Sequence, residues 1–192
     1  LDIGTVDVEF GFSCMGYEIA GGWGARIAQA ETEPEADTIV FVGDGSYLLM
    51  NSDIYSSVLT QKKLIILVLD NGGFAVINKL QKNTGNESFN CLFSDAPTIP
   101  DPFAVDFVAH AAAMGARAEY AETAEALAAA FTRAKAADVT SVIVMNVDAH
   151  EGWTEQGHAW WELGTPHVSD SPKISEKHVE IEDGRHKQRR GV

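Results

Sequence analysis

An α/β domain of three layers, built on a doubly wound and mostly parallel sheet, is predicted by two features of the 192-residue chain. Short apolar runs alternate with helix-like stretches: Thr38 to Val42 (TIVFV), Leu64 to Leu69 (LIILVL) and Ser141 to Val147 (SVIVMNV) are spaced widely enough for crossover helices. The first two runs each feed a glycine-rich polar cluster, Gly43-Asp44-Gly45-Ser46 and Asp70-Asn71-Gly72-Gly73. Both clusters therefore fall at strand carboxyl ends, the edge of an open parallel sheet where ligands bind.

The elements follow in chain order. A helix-like stretch runs to about Ala30 and is followed by the TIVFV strand. Tyr47 to about Gln61 reads as one helix, LIILVL as the next strand, and Ile77 to Gln81 as part of a short helix. Lys82 to Pro102 is polar and broken by Pro97, Pro100 and Pro102, which predicts a long surface loop, either a connector or a cover for the site. Phe103 to Met114 reads as a helix and Gly115 to Tyr120 as a short strand. Thr123 is placed to cap an Ala-rich helix reaching Ala137, with Leu127, Phe131 and Ala134 on one face. The SVIVMNV strand closes the pattern. Residues 1–165 are expected to form the domain and residues 166–192 a flexible polar tail.

With 45% apolar residues, a chain of this length can bury a sizeable core. Its net charge of -14 argues against a nucleic-acid partner, because a phosphate polymer needs a basic face. The basic cluster from Arg185 to Arg190 reads as a solvated terminus. No apolar stretch is long enough to cross a bilayer, and the opening residues lack the basic and apolar blocks of a signal peptide. Cys14 and Cys91 have no CxxC spacing, so a reducing, cytoplasmic context is expected. The chain opens at Leu1 and reads as a fragment or processed piece. The six histidines show no HxH or HExxH spacing for zinc, although His150 and His158 lie beyond a strand end where substrate could approach. Ser46 lacks the GxSxG setting of a nucleophile.

The two polar clusters suit a magnesium diphosphate. Magnesium takes hard oxygen ligands and is commonly held by one or two carboxylates together with phosphate oxygens, so Asp44 and the Asn71 amide are apt ligands. The glycines admit sharp turns, and the N–H groups of Gly45 and Ser46 would open a helix towards an anion.

At these residues the chain resembles the thiamine-diphosphate enzymes, whose motif runs from GDG to a downstream pair of asparagines; Asp70 stands here for the first of the pair. The resemblance implies that Asp44, Asn71 and the main-chain oxygen of Gly73 hold Mg2+. It implies that Gly43, Gly45, Ser46 and Val76 line the diphosphate of thiamine diphosphate. In the segment Glu9 to Glu18 (EFGFSCMGYE), Met15 would support the bend of the cofactor, and the backbone oxygen near Ser13 would accept from the aminopyrimidine. Together with VGDGSYLLMNS, Ile77 to Gln81 (INKLQ) and Trp160-Trp161, this segment makes residues 8–164 similar to the carboxy-terminal domain of the trihydroxycyclohexanedione hydrolases, ring-opening enzymes of myo-inositol breakdown. Trp160 and Trp161 would pack at a domain or subunit interface. The resemblance further implies a cyclic dione substrate, a homo-oligomer, and an activating glutamate on a pyrimidine-binding domain of the same or a neighbouring subunit. The alternative readings are an acetolactate-synthase-like or 2-oxoacid decarboxylase domain, which shares the GDG half and differs in the substrate-facing segments, and a non-catalytic diphosphate-binding or assembly module.

Overall fold

The computed structural model describes residues 6–8, 14–96, 98, 104–150, 164–166 and 168–188. They fall into two compact units: Leu1–Asn71 with Ala104–Val147, and Gly72–Phe103 with Asp148–Val192.

The first unit holds a parallel sheet of β1 (Ile39–Gly43), β2 (Ile65–Asp70), β3 (Arg117–Tyr120) and β4 (Ser141–Asn146) in the order β1-β2-β4-β3. Runs such as LIILVL are apolar at every position because both sheet faces are covered. On one face Val40, Val42, Ile66, Val68, Val142 and Val144 form a buried core with residues from four helices. These are Ile19 of α1 (Tyr17–Thr32), Tyr47 of α2 (Asp44–Leu49), Ile54 of α3 (Asp53–Leu59), and Phe107 and Ala111 of α5 (Phe107–Ala113). On the other face Ile65 and Ile143 pack with Ala130 and Ala134 of α6 (Ala124–Ala136). The three-layer, doubly wound expectation is met. Strand β4 enters between β2 and β3, so the chain turns back on itself at that point while α6 crosses on the opposite face.

Thr123 caps α6 as expected, its hydroxyl accepting from the Ala126 N–H at 3.1 Å. Thr123→Ala should cost about 1 kcal/mol, read as a lower urea midpoint at unchanged slope.

Two helices differ from expectation. The single helix expected from Tyr47 to Gln61 is two: α2 starts earlier, at Asp44, and the chain breaks at Met50, whose φ of -147° is extended. Asn51 drives the break by donating its side-chain amide to the Tyr47 carbonyl at 3.0 Å, a local alternative to continuing the helix. The helix expected from Phe103 begins at Phe107, because Asp106 caps it, accepting from the Ala109 N–H at 2.8 Å.

In the second unit α4 (Ala75–Asn83) extends past the expected Gln81. The expected loop from Lys82 is partly ordered: it returns to form an isolated antiparallel bridge between Leu92 and Gly73, followed by a 3-10 turn at Phe93–Asp95. Residues 97 and 99–103 lie outside the described residues. The stretch expected as a flexible tail carries a sixteen-residue helix, α7 (Pro172–Lys187). Proline at its first turn suits a helix start, and Ile174 and Ile181 are buried. Lys177–Glu180, Arg185–Glu182 and Lys187–Asp183 pair along its surface. Two buried apolar positions seven residues apart are too sparse a pattern to read as an amphipathic helix, which is why composition pointed to a tail. Among the described residues no helix is long and apolar enough to cross a membrane.

Candidate functional site

Strands β1 and β2 run parallel with Gly43 opposite Leu69, so Asp44 and Asn71 emerge at the same sheet edge. Gly43 keeps extended backbone (φ -75°, ψ 155°) as the last strand residue and also serves as the N-cap of α2. Asp44, Gly45 and Ser46 form the first turn of that helix, where a carboxylate is favoured by the unsatisfied N–H groups. Asp44 is fully buried. A carboxylate withdrawn from water costs free energy unless charge or hydrogen bonds compensate it. Asn71 is half-buried immediately after β2. Upstream in the same unit, Met15 is 37% exposed beside Gly16, whose φ of 98° starts α1. Ser13, Trp160, Trp161 and His158 lie outside the described residues.

Gly73 and Val76 belong to the second unit. Gly73 has a φ of 141°, and a Cβ there would strike the Cys91 carbonyl oxygen, so only glycine fits. Val76 stands exposed on the first turn of α4. His150 is exposed. The Ser88 hydroxyl, and after it the Leu92 and Cys91 N–H groups, hold the nearby Asp95 carboxyl below the usual carboxylate range. His178 bonds Thr165 at 2.7 Å.

Asp44 and Asn71 offer oxygens of the hard kind that magnesium takes. Among the described residues no group of three or more His, Cys, Asp or Glu side chains gathers to hold a metal.

Sequence reasoning missed the far half of this sheet edge. Tyr120, Ala121, Glu122 and Asn146 line an open cavity of about 400 Å³ at the ends of β3 and β4. The Tyr120 hydroxyl donates to Asp106 Oδ1 at 3.4 Å, and burial, then Asp106 and Asp70, push its pKa up. The available signal was positional: Tyr120 ends a predicted strand, and Asn146 is the last residue but one of another.

Comparison with known proteins identifies this arrangement. The family model described as thiamine pyrophosphate enzyme, C-terminal TPP binding domain, matches residues 4–145. A 3D-(3,5/4)-trihydroxycyclohexane-1,2-dione hydrolase from Bacillus licheniformis is 36% identical over 170 residues, covering 88% of this chain and 26% of that protein. The enzyme of the same name from Lacticaseibacillus casei is 33% identical over 180 residues, covering 94% of this chain and 27% of that protein. The chain thus spans about a quarter of the length of these curated relatives. In fold it is similar to the crystal structure of benzoylformate decarboxylase from Polynucleobacter necessarius, with a TM-score of 0.62 and 23% identity over 71% of this chain and 24% of that one. The buried GDG carboxylate, the parallel sheet edge and the matched residues make the chain a member of the thiamine pyrophosphate enzymes, carrying their C-terminal TPP-binding domain.

Proposed function

We propose that this chain is the cofactor-diphosphate-binding part of a carbon-carbon bond hydrolase that opens trihydroxycyclohexane-1,2-dione to 5-deoxy-glucuronate in myo-inositol catabolism. The observation that carries the cofactor half of this reading is the fully buried Asp44 at the β1–α2 turn. The substrate half is supported by relatives 33% and 36% identical that bear this hydrolase name. Asp44, the Asn71 amide and the main-chain oxygen of Gly73, two residues further along, hold Mg2+. Gly43, Gly45, Ser46 and Val76 contact the diphosphate. Ser13, through its main-chain oxygen, and Met15 orient the pyrimidine end. Bound thiamine diphosphate supplies the nucleophilic carbon that the ring opening needs, while this chain binds and orients it. None of these residues is positioned as the proton-transfer group; that role falls to a glutamate on a pyrimidine-binding domain of the same or a neighbouring subunit, in a cytoplasmic homo-oligomer.

The test is a calorimetric titration of thiamine diphosphate with magnesium, then with excess chelator, using thiamine monophosphate as control. Magnesium-dependent binding selective for the diphosphate is the expected result. No binding by folded protein that includes the pyrimidine-binding domain would overturn the site. Product analysis on that reconstituted protein tests the substrate: 5-deoxy-glucuronate from the cyclic dione is expected, and turnover of a 2-oxoacid alone would favour a decarboxylase.

A further inference from the structure

Helix α4 carries the INKLQ string, to which cofactor binding gives no role. Its Asn78 is 1% exposed, an uncommon place for an amide. The Asn78 amide nitrogen donates to Ser88 Oγ, which donates to Asp95 Oδ2 at 2.6 Å, and Asp95 Oδ2 also accepts from the Leu92 N–H at 3.3 Å. Asn78 Oδ1 has no hydrogen-bond partner among the described residues, so the buried amide is retained at a cost to stability. One turn on, Gln81 grips the same loop reciprocally. Its Nε2 donates to the Phe89 carbonyl at 3.2 Å, and its Oε1 accepts from the Phe89 N–H at 3.3 Å and from Cys91 Sγ at 3.4 Å.

The loop gripped in this way is the one that shapes the Gly72–Phe74 turn. The Phe74 N–H donates to the Cys91 carbonyl at 2.7 Å, the Phe93 N–H donates to the Gly72 carbonyl at 3.0 Å, and Gly73 bridges Leu92. A main-chain ligand has no side-chain rotamer to adjust; only the backbone around it sets where its oxygen points. We propose that Asn78 and Gln81 are positioning residues for the Gly73 carbonyl oxygen, acting through the 88–93 loop that both side chains clamp. This rests on the reading of Gly73 as a magnesium ligand.

Magnesium demands near-octahedral geometry at about 2.0–2.1 Å, whereas calcium accepts looser shells at about 2.3–2.6 Å. Loosening the clamp should therefore penalise magnesium more than calcium, a change that general destabilisation would not produce. The experiment measures half-saturating Mg2+ and Ca2+ for thiamine diphosphate binding in wild type, Gln81→Ala, Asn78→Asp and Asp44→Ala, together with amide hydrogen exchange of the ligand-free protein. In Gln81→Ala the magnesium requirement should rise about 10-fold, the scale of lost outer-shell support, with calcium changed less than about threefold. The Phe74 and Phe93 amides should exchange about 10-fold faster while Ile66 and Val68 in β2 keep their protection. Asn78→Asp should shift in the same direction. A metal ratio and exchange pattern within about twofold of wild type in both clamp variants, with Asp44→Ala impaired, overturns the clamp alone. Wild type that binds thiamine diphosphate equally with and without metal overturns the site reading and the clamp together.

Discussion

Asp44→Ala is expected to weaken magnesium-dependent binding of thiamine diphosphate by at least about 100-fold, the upper end of what losing mere outer-shell support costs. Asn71→Ala should cost about 10-fold, because an amide ligand brings no charge and water can take its place. His178→Ala on α7 should leave binding unchanged, since that imidazole is engaged with Thr165. The asymmetry follows from burial. Asp44 is fully withdrawn from water in the first turn of α2, so a cation on its carboxylate gains an interaction little screened by solvent. Asp44→Asn separates ligand chemistry from packing: it keeps the side-chain shape and removes the charge. Its ligand-free stability should match or exceed wild type, as often happens when a buried charge kept for function is neutralised, while its magnesium affinity falls with that of Asp44→Ala. Equal binding by wild type, Asp44→Ala, Asn71→Ala and His178→Ala in the titration would remove the site assignment.

What made this half of the site legible was the coincidence of two patterns. An apolar run ending in GDGS specifies a strand, a sharp turn and a helix start, and the second run ending in DNGG specifies a parallel partner. Parallel pairing then fixes that Asp44 and Asn71 share an edge, with Gly43 opposite Leu69. Ser13 is different, since it lies outside the described residues. Gly73 was named for its oxygen, but the reason only glycine fits there, the Cys91 carbonyl against its α-carbon, comes from a contact eighteen residues away along the chain.

Long-range pairing also explains what the sequence concealed. The strand order β1-β2-β4-β3 brings Asn146 beside Asp70 across seventy-five residues, and nothing local announces that register. Asn78 and Gln81 stand in the INKLQ string that carries part of the resemblance, but nothing local gave them a role, because their partners lie in a loop whose composition signalled only irregularity. The break between α2 and α3 was locally encoded in Asn51-Ser52-Asp53, but the helical propensity of the flanking residues masked it. Helix α7 was hidden for the opposite reason. Its surface ion pairs are polar by nature, and a mostly polar helix has the same composition as a solvated tail.

Tyr47 ties the GDGS turn to the core, and its removal should have the largest effect on stability. It follows Ser46 directly, is fully buried, meets Phe107 edge-on at 5.2 Å between ring centroids, and shares a 2.9 Å hydrogen bond with His110 Nδ1. Tyr47→Ala empties an aromatic site under α2 and should cost about 3–5 kcal/mol, a loss of about 10 °C in Tm for a domain of this size. Tyr47→Phe keeps the ring and removes one net hydrogen bond, so it should cost only about 1 kcal/mol at neutral pH. The pH dependence isolates the hydroxyl. Burial pushes the Tyr47 pKa from 10.0 to about 12, so between those values the folded chain keeps a proton that the unfolded chain has released. Stability from this group is therefore fully present below pH 10 and is lost as pH rises towards 12, by up to about 3 kcal/mol. Phenylalanine has no proton to lose, so the gap between wild type and Tyr47→Phe in urea denaturation should shrink and then reverse between pH 9 and about pH 12. A gap that stays constant across that range would mean that the Tyr47 hydroxyl titrates as it does in water, and that α2 is not sealed against the core at the residue following the GDGS turn.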